Sequence, residues 1–352
     1  MENQEQQQTQ HKRRVRYKGT HPRNYKEKYK ELNPEKYADT VAKVIQKGST
    51  PAGMHISICV KEILDFLEIK PGQVGLDATL GYGGHTRKML ECLEGKGHIY
   101  GLDVDPIESA KTKERLKELG FDEDILTVRL LNFANIDQIA EEVGPFDFVL
   151  ADLGVSSMQI DNPDRGFSYK VDGPLDLRLN PEKGISAAER LKDIDQRELE
   201  GMLLENADEP YASEISHAIV SKLKKGGKIE TTTDLHQLIS DTLEFLPKDE
   251  RKEAIKKSSQ RVFQALRIDV NSEFEVLYQF LEKLPHVLAK GGRVAILTFH
   301  SGEDRLVKKS FKRYFKEGLY SDIAKDVIRP SAEECRNNGR AKCTKMRWAI
   351  KA

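Results

Sequence analysis

The chain has 352 residues, with 57 Lys+Arg against 57 Asp+Glu and 38% apolar side chains. That length allows two domains, or one domain with a large insertion. The even charge excludes a protein that holds nucleic acid through net charge alone. The start is polar and lacks the apolar stretch of a secretion signal, and the longest apolar run, around Val294 to Phe299, is far short of a membrane span. A cytoplasmic protein with no membrane partner is expected. Cys59, Cys92, Cys335 and Cys343 form no Cys-x-x-Cys pair and have no histidine at zinc spacing, so free thiols and no bound metal are expected.

In chain order, residues 1–50 read as a basic, partly disordered arm. From His11 to Lys47 there are twelve Lys/Arg and four acids, with Tyr17, Tyr25, Tyr29 and Tyr37 interleaved. Such an arm suits RNA phosphates and stacked bases, or serves only as a solvated tail. An amphipathic helix follows over Ile56–Phe66, and the first strand starts at Val74. Helices at Thr86–Leu93, Ile107–Leu119 and Ile136–Glu142 then alternate with strands at His98–Asp103, Ile125–Leu131 and Phe146–Ala151. This alternation over residues 51–180 predicts a doubly wound α/β sheet of parallel strands with helices on both faces.

The alternation breaks at Ser156–Asn180, a polar stretch without a period. Residues 181–258 read as an inserted helical domain for substrate recognition, or as structural padding. Ser186-Ala-Ala-Glu189 is a capping box. Ile215, Ile219 and Leu223 form a helical stripe stopped by Gly226-Gly227, and Thr233 is a cap for a helix carrying Leu235, Leu238, Ile239 and Leu243. Residues 259–352 resume the sheet. One long helix is expected from about Arg261 to Leu288, because Phe263, Leu266, Val270, Phe274, Leu277 and Leu281 recur at three and four residues. Gln260, Gln264, Arg267 and Asn271 form a polar row beside that stripe, expected to face a cleft. The strand Arg293–Phe299 closes the pattern.

Ligands in such sheets lie beyond the carboxyl ends of the strands, so the turn at Gly81, Asp103, Asn132-Phe133 and Asp152 should converge. The turn reads Asp77-Ala-Thr-Leu-Gly81-Tyr-Gly83-Gly84-His85, with an acid at Asp103 ending the second strand. Glycines let a backbone approach a nucleotide-like cofactor, and the distal acid accepts hydrogen bonds from ribose hydroxyls. Thr86 stands where a pyrophosphate-binding loop has its third glycine, and Asp77 before the turn would repel a pyrophosphate. Both features disfavour an NAD(P) oxidoreductase and favour S-adenosylmethionine, whose sulfonium cation and amino-acid end suit a carboxylate.

Several blocks resemble the ribosomal RNA small subunit methyltransferase H family. They are Asp77 to His85, Asp152-Leu-Gly-Val-Ser-Ser157, Arg165-Gly-Phe-Ser-Tyr-Lys-Val-Asp-Gly-Pro-Leu-Asp176, Phe263-Gln-Ala-Leu-Arg-Ile-Asp-Val-Asn271 and His300-Ser-Gly-Glu-Asp-Arg305. They keep the family's order over roughly residues 54–351. The resemblance implies a Rossmann-like class I methyltransferase sheet with an inserted helical domain. It also implies an enzyme that methylates N4 of a cytidine in the decoding centre of 16S rRNA, position 1402 in the usual ribosomal numbering, within the small subunit. The donor implied is S-adenosylmethionine.

Carried over by position, Gly83, Gly84, His85, Asp103, Phe133, Asp152 and Gln159 are expected to contact the cofactor. The exocyclic amine of cytosine is a poor nucleophile, so acceptors must draw on its protons. Asp152 leads as acceptor; Asp176 follows, or else caps the turn at Pro174; and His300 is a proton relay, a phosphate contact or a loop anchor. Arg165, Arg178, Arg267, Asn271 and Arg305 are expected on the RNA. The chain departs from the family at Gly302, where Leu is usual, at Ser258-Ser259, where Pro-Ala is usual, and at Asn338-Gly-Arg-Ala-Lys-Cys-Thr344. These changes sit on the substrate side. Methylation of another RNA or DNA site, or a non-catalytic assembly role, therefore stays open beside the main reading.

Overall fold

The computed structural model describes residues 57–352; the arm at 1–50, with its basic and tyrosine-rich pattern, lies outside the described residues. A short helix, α1 (Val60–Leu67), leads into alternating elements: β1 (Val74–Asp77), α2 (Gly84–Leu93), β2 (His98–Asp103), α3 (Pro106–Glu118), β3 (Leu126–Leu130), α4 (Ile136–Val143) and β4 (Phe146–Asp152). After the insertion come β5 (Leu288–Thr298), α12 (Ser301–Lys316), β6 (Tyr320–Ile323) and β7 (Lys345–Lys351). The seven strands lie in the order β3-β2-β1-β4-β5-β7-β6. β1 to β5 pair in parallel, and β7 runs antiparallel between β5 and β6. The sheet is Rossmann-like, and its order reverses between β1 and β4, which puts the ligand crevice beyond their carboxyl ends.

One face of the sheet buries Leu76, Leu102, Val149, Phe146, Phe280 and Phe311. The other buries Ile63, Met89, Leu93, Ile99, Phe148 and Leu150. Val149 and Leu150, adjacent on β4, thus point to opposite faces, as a strand requires.

A third core belongs to the insertion, whose helices are α6 (Ala187–Asp193), α7 (Gln196–Ala207), α8 (Ala212–Lys224), α9 (Thr232–Thr242) and α10 (Lys248–Val270). This core runs from Leu175 to Leu266, beyond 181–258 at both ends. Ser186 and Glu189 form the expected capping box at α6. At α9 the cap is Thr231, reciprocated by Asp234; Thr233 instead bonds Asp172 through its hydroxyl.

The single helix expected over Arg261–Leu288 is two helices. α10 begins earlier, at Lys248, and ends at Val270; α11 (Glu273–Val287) follows a break at which Ser272 takes φ 49°. The apolar stripe crosses the break because both helices face apolar surface. Asn271 and Ser272 are weak helix formers whose side chains compete with the backbone, and Asn271 is committed elsewhere.

The polar stretch after β4 also has structure. Ser156 and Gln159 cap α5 (Ser157–Asp161) reciprocally, and the backbone beyond is tied to the insertion through a Pro174–Thr231 bridge. Among the described residues no helix is long and apolar enough to cross a membrane.

Candidate active site

At the carboxyl ends of β1, β2, β4 and β5 lies a cavity of about 440 Å³, within the range of sites that enclose a small ligand. Its β1 wall is the glycine turn. Gly83 has φ 78° and precedes α2. A Cβ on Gly84 would come within 2.1 Å of Ser57 Oγ, so a larger residue there would have to turn the Ser57 hydroxyl aside. Asp77 is buried and does not face the cavity. It accepts from the Thr79 amide at 3.0 Å and the Thr86 hydroxyl at 2.6 Å. Thr86 is therefore a lock on the turn, and Asp77 acts by shaping it. Thr79 extends the lock: its hydroxyl accepts the Asp152 amide at 2.6 Å, joining the ends of β1 and β4.

On the β2 wall, Asp103 accepts from the amides of Gly81 and Asp105, each at 2.9 Å. Burial pushes its carboxyl up to about 6, against the pull of those amides. Each carboxylate oxygen keeps acceptor capacity toward the cavity, which suits a diol. Phe133 lines the same end, its ring edge-on to Phe280 at 5.1 Å between centroids.

Asp152 ends β4 with 28% of its side chain exposed. Its Oδ1 is buried without a hydrogen-bond partner. Its Oδ2 lies 3.5 Å from His85 Nδ1, while His85 Nε2 is 2.9 Å from the Ile58 carbonyl. A carbonyl can only accept, so Nε2 carries a proton, and Nδ1 is the ring nitrogen turned toward Asp152. One proton held between Nδ1 and Oδ2 joins the two groups. Burial raises the Asp152 carboxyl to about 6, countered by His85.

Beyond β5, His300 Nε2 lies 3.2 Å from Glu303 Oε1 but off the line of a good hydrogen bond. Glu303 is buried and accepts the Phe299 amide at 2.8 Å. Burial alone would raise its carboxyl, yet His300, that amide and Arg267 together hold it below the usual range. Glu273 completes the cluster and takes a two-pronged ion pair from Arg267, at 2.8 and 2.9 Å. The guanidinium thus supplies the positive charge that this acidic group needs.

Gly83, Gly84, His85, Asp103, Phe133, Asp152, Gln159, Arg267, Asn271 and His300 all line the cavity, whereas Asp176, Arg165, Arg178 and Arg305 do not. The reasons are physical. Both oxygens of Asp176 are engaged by Arg178, at 2.7 and 2.8 Å, so each occupies the other. Arg165 is buried, pairs with Asp105 at 2.7 Å and donates to the carbonyls of Arg178 and Leu179. Arg305 is exposed on α12, outside the cavity.

Even the cavity-lining residues have internal duties. Gln159 donates to Asp105 at 3.0 Å. Asn271 accepts the Leu179 amide and donates to the Leu177 carbonyl, at 2.7 and 2.8 Å, stapling the post-β4 loop to α10. In the polar row, Gln264, Arg267 and Asn271 face the cavity and Gln260 does not. The sequence reading missed Asp105, Thr79, Glu273 and Arg340. For Asp105 the Asp-Pro start of α3 was a legible capping signal; its long-range partners had none.

Of the departures from the family pattern, Asn338, Arg340 and Cys343 line the cavity, while Ser258, Ser259 and Gly302 have neighbours within the protein. Ser258 donates to the buried Glu209 at 2.8 Å, and Ser259 meets His236 at 2.8 Å. At Gly302 a Cβ would stand 2.6 Å from the Phe274 ring, which takes the room a larger residue would fill.

The MraW methylase family model matches residues 52–352. The ribosomal RNA small subunit methyltransferase H 1 of Lachnoclostridium phytofermentans is 75% identical over 342 residues, covering 97% of this chain and 93% of that one. The ribosomal RNA small subunit methyltransferase H of Clostridium botulinum (strain Kyoto) is 38% identical over 310 residues, covering 83% and 97%. Among solved structures, a putative rRNA methylase from Clostridium thermocellum is similar at a TM-score of 0.39 and 14% identity, covering 83% of this chain and 95% of that one. The chain belongs to the MraW methylase family, that of the ribosomal RNA small subunit methyltransferase H proteins.

Proposed function

We propose that this protein methylates N4 of a cytidine in the decoding centre of 16S rRNA, position 1402 in the usual ribosomal numbering. The coarser activity, methylation of ribosomal RNA from S-adenosylmethionine, follows from its family and from a cavity whose residues fit that donor. S-adenosylmethionine supplies a methyl group on a sulfonium centre. Gly83 and Gly84 let the backbone approach it, Asp103 takes the ribose hydroxyls, and Phe133 covers an adenine edge.

The observation that carries the reading is Asp152 Oδ1, a buried acceptor in the cavity with no donor of its own. An unpaired buried oxygen is costly unless a ligand satisfies it. An exocyclic amine supplies an N–H at that point and is thereby aligned for in-line attack. With its carboxyl raised to about 6, Asp152 can take the proton the amine must lose, and His85 Nδ1 lies beside it to share the proton. His300, backed by Glu303, holds the β5 side of the cavity and has no required proton role. Asp176 is set aside as acceptor because Arg178 occupies it.

The target base must leave its stack to reach the cavity, at a cost of a few kcal/mol that is least for an unpaired base. Structured RNA in an assembling small subunit is the expected substrate. The test is mass mapping of modified nucleosides in small-subunit rRNA from cells with and without the gene. Loss of one N4-methyl mark in the decoding centre supports the reading; an unchanged decoding centre with a mark lost elsewhere redirects it to another site.

A further inference from the structure

Arg340 stands in the short helical turn (residues 339–343) that enters β7, and β7 pairs with β5 from Lys345 opposite Thr298. It therefore reaches the cavity from the side of the sheet where β7 borders β5. Its Nη2 is fixed by Asp161 at the end of α5, at 3.2 and 3.3 Å to the two carboxylate oxygens. Its Nη1 is buried with no hydrogen-bond partner, and the residue lines the cavity. The buried groups without partners that share this cavity thus include an acceptor and a donor, Asp152 Oδ1 and Arg340 Nη1, beside His300 Nε2.

We propose that Arg340 binds the ring carbonyl oxygen of the target pyrimidine, fixing the base so that its amine meets Asp152. This inference rests on the proposed transfer to a cytosine amine. Charge decides against a phosphate as the occupant. Asp161 already pairs with the guanidinium, and the charge of Arg267 is taken up by Glu273 and Glu303, which leaves Asp103 and Asp152 facing the same cavity, so a second anion would be repelled while a neutral carbonyl is accepted. A base offering an amine on one side and a carbonyl on the other satisfies both orphaned groups. Uracil would set its O4 acceptor against Asp152 and lose that match.

The test uses the full-length protein and two RNA fragments of the target region, one with cytidine and one with 2-thiocytidine at the target, since sulfur accepts hydrogen bonds weakly. Wild type should methylate the thio substrate about tenfold more slowly in single turnover, the scale of one hydrogen bond. Arg340→Ala should be about tenfold slower on cytidine and should not distinguish the two RNAs. Its affinity for S-adenosylmethionine should be unchanged, which also reports that it is folded. Should Arg340→Ala lose its thermal transition, Arg340→Met, which keeps the length of the stem and loses every donor, supplies the same comparison.

A folded variant that still discriminates against sulfur as strongly as wild type overturns the inference. So does a folded variant with weakened cofactor binding, which would give Arg340 to the cofactor carboxylate. If wild type methylates neither RNA on the amine, the reading of the target fails and this inference fails with it; methylation of both at equal rates sinks the inference alone.

Discussion

On the β1–β2 wall, short-range polar locks fix the groups that face the cavity. Thr79 and Thr86 each lie within nine residues of Asp77, and Gly81 bonds Asp103 across one strand crossing. The β4–β5 wall is assembled from distant parts of the chain. Asp152, the loop through Leu179, Asn271, Glu303 and Arg340 are brought together by contacts such as Leu179 with Asn271 and Asp161 with Arg340. A local wall can be read as a motif. A composite wall can be read only once its partners are known, and most of its cations turn out to hold the wall together.

The sharpest break between the two walls should come at Asp152. Asp152→Asn keeps the shape and one acceptor but removes the charge that draws a proton from the amine. We expect single-turnover methylation to fall by roughly 10²–10⁴-fold, the range for losing a general base, with cofactor affinity changed little. A rate near wild type in rapid-quench measurements would remove Asp152 from the chemistry and leave the β4–β5 wall to binding alone.

Arg165 tests whether the composite wall is internal. Arg165→Ala would leave Asp105 buried with only amide and Gln159 partners, and stability should fall by about 3 kcal/mol, the low end for one half of a buried pair. Urea unfolding measures it. Unchanged stability together with weakened RNA binding would return Arg165 to the role of an RNA clamp.

Asp103 is the local wall's counterpart. Removing its carboxylate in Asp103→Ala should weaken S-adenosylmethionine by roughly 1.5–3 kcal/mol, or about 10- to 150-fold, the scale for hydrogen bonds to a charged group. Calorimetry that finds unaltered affinity would take the ribose off this residue.

The same contrast explains what was legible in the sequence. Alternating periods gave β1 to β4 and their helices within a residue or two, and the glycine turn with Asp103 marked one wall of the cavity. The helix over Arg261–Leu288 was misread because an apolar stripe reports a face and is blind to a one-residue reversal such as Ser272. Arg165 and Asp176 were expected on the ligand because their types suit RNA or proton transfer. Residue type cannot show that Asp105, sixty positions from Arg165, already claims the guanidinium. Ser258, Ser259 and Gly302 looked like signs of a changed substrate; their partners Glu209, His236 and Phe274 make them repacking within the protein.

The smallest effect concerns stability without ligand, and its sign separates a built acceptor from an ordinary surface acid. The Asp152 carboxyl is raised to about 6 from an ordinary 3.8, chiefly by burial. A raised carboxyl means that the folded state holds its proton more tightly than the unfolded state. Its favourable contribution is therefore complete below about pH 4 and is lost as pH rises through about 6. At pH 8 the ligand-free protein carries a poorly solvated charge, which Asp152→Asn removes. The variant should then be more stable than wild type by about 1 kcal/mol, discounting the full shift because the side chain keeps some exposure. Asp103 is raised similarly but is common to both proteins and cancels in the comparison. Thermal unfolding from pH 8 to pH 4 should show the gap closing as pH falls through 6. A gap that widened toward low pH would mean that Asp152 is held charged by His85, and the shared proton would then reside on the histidine.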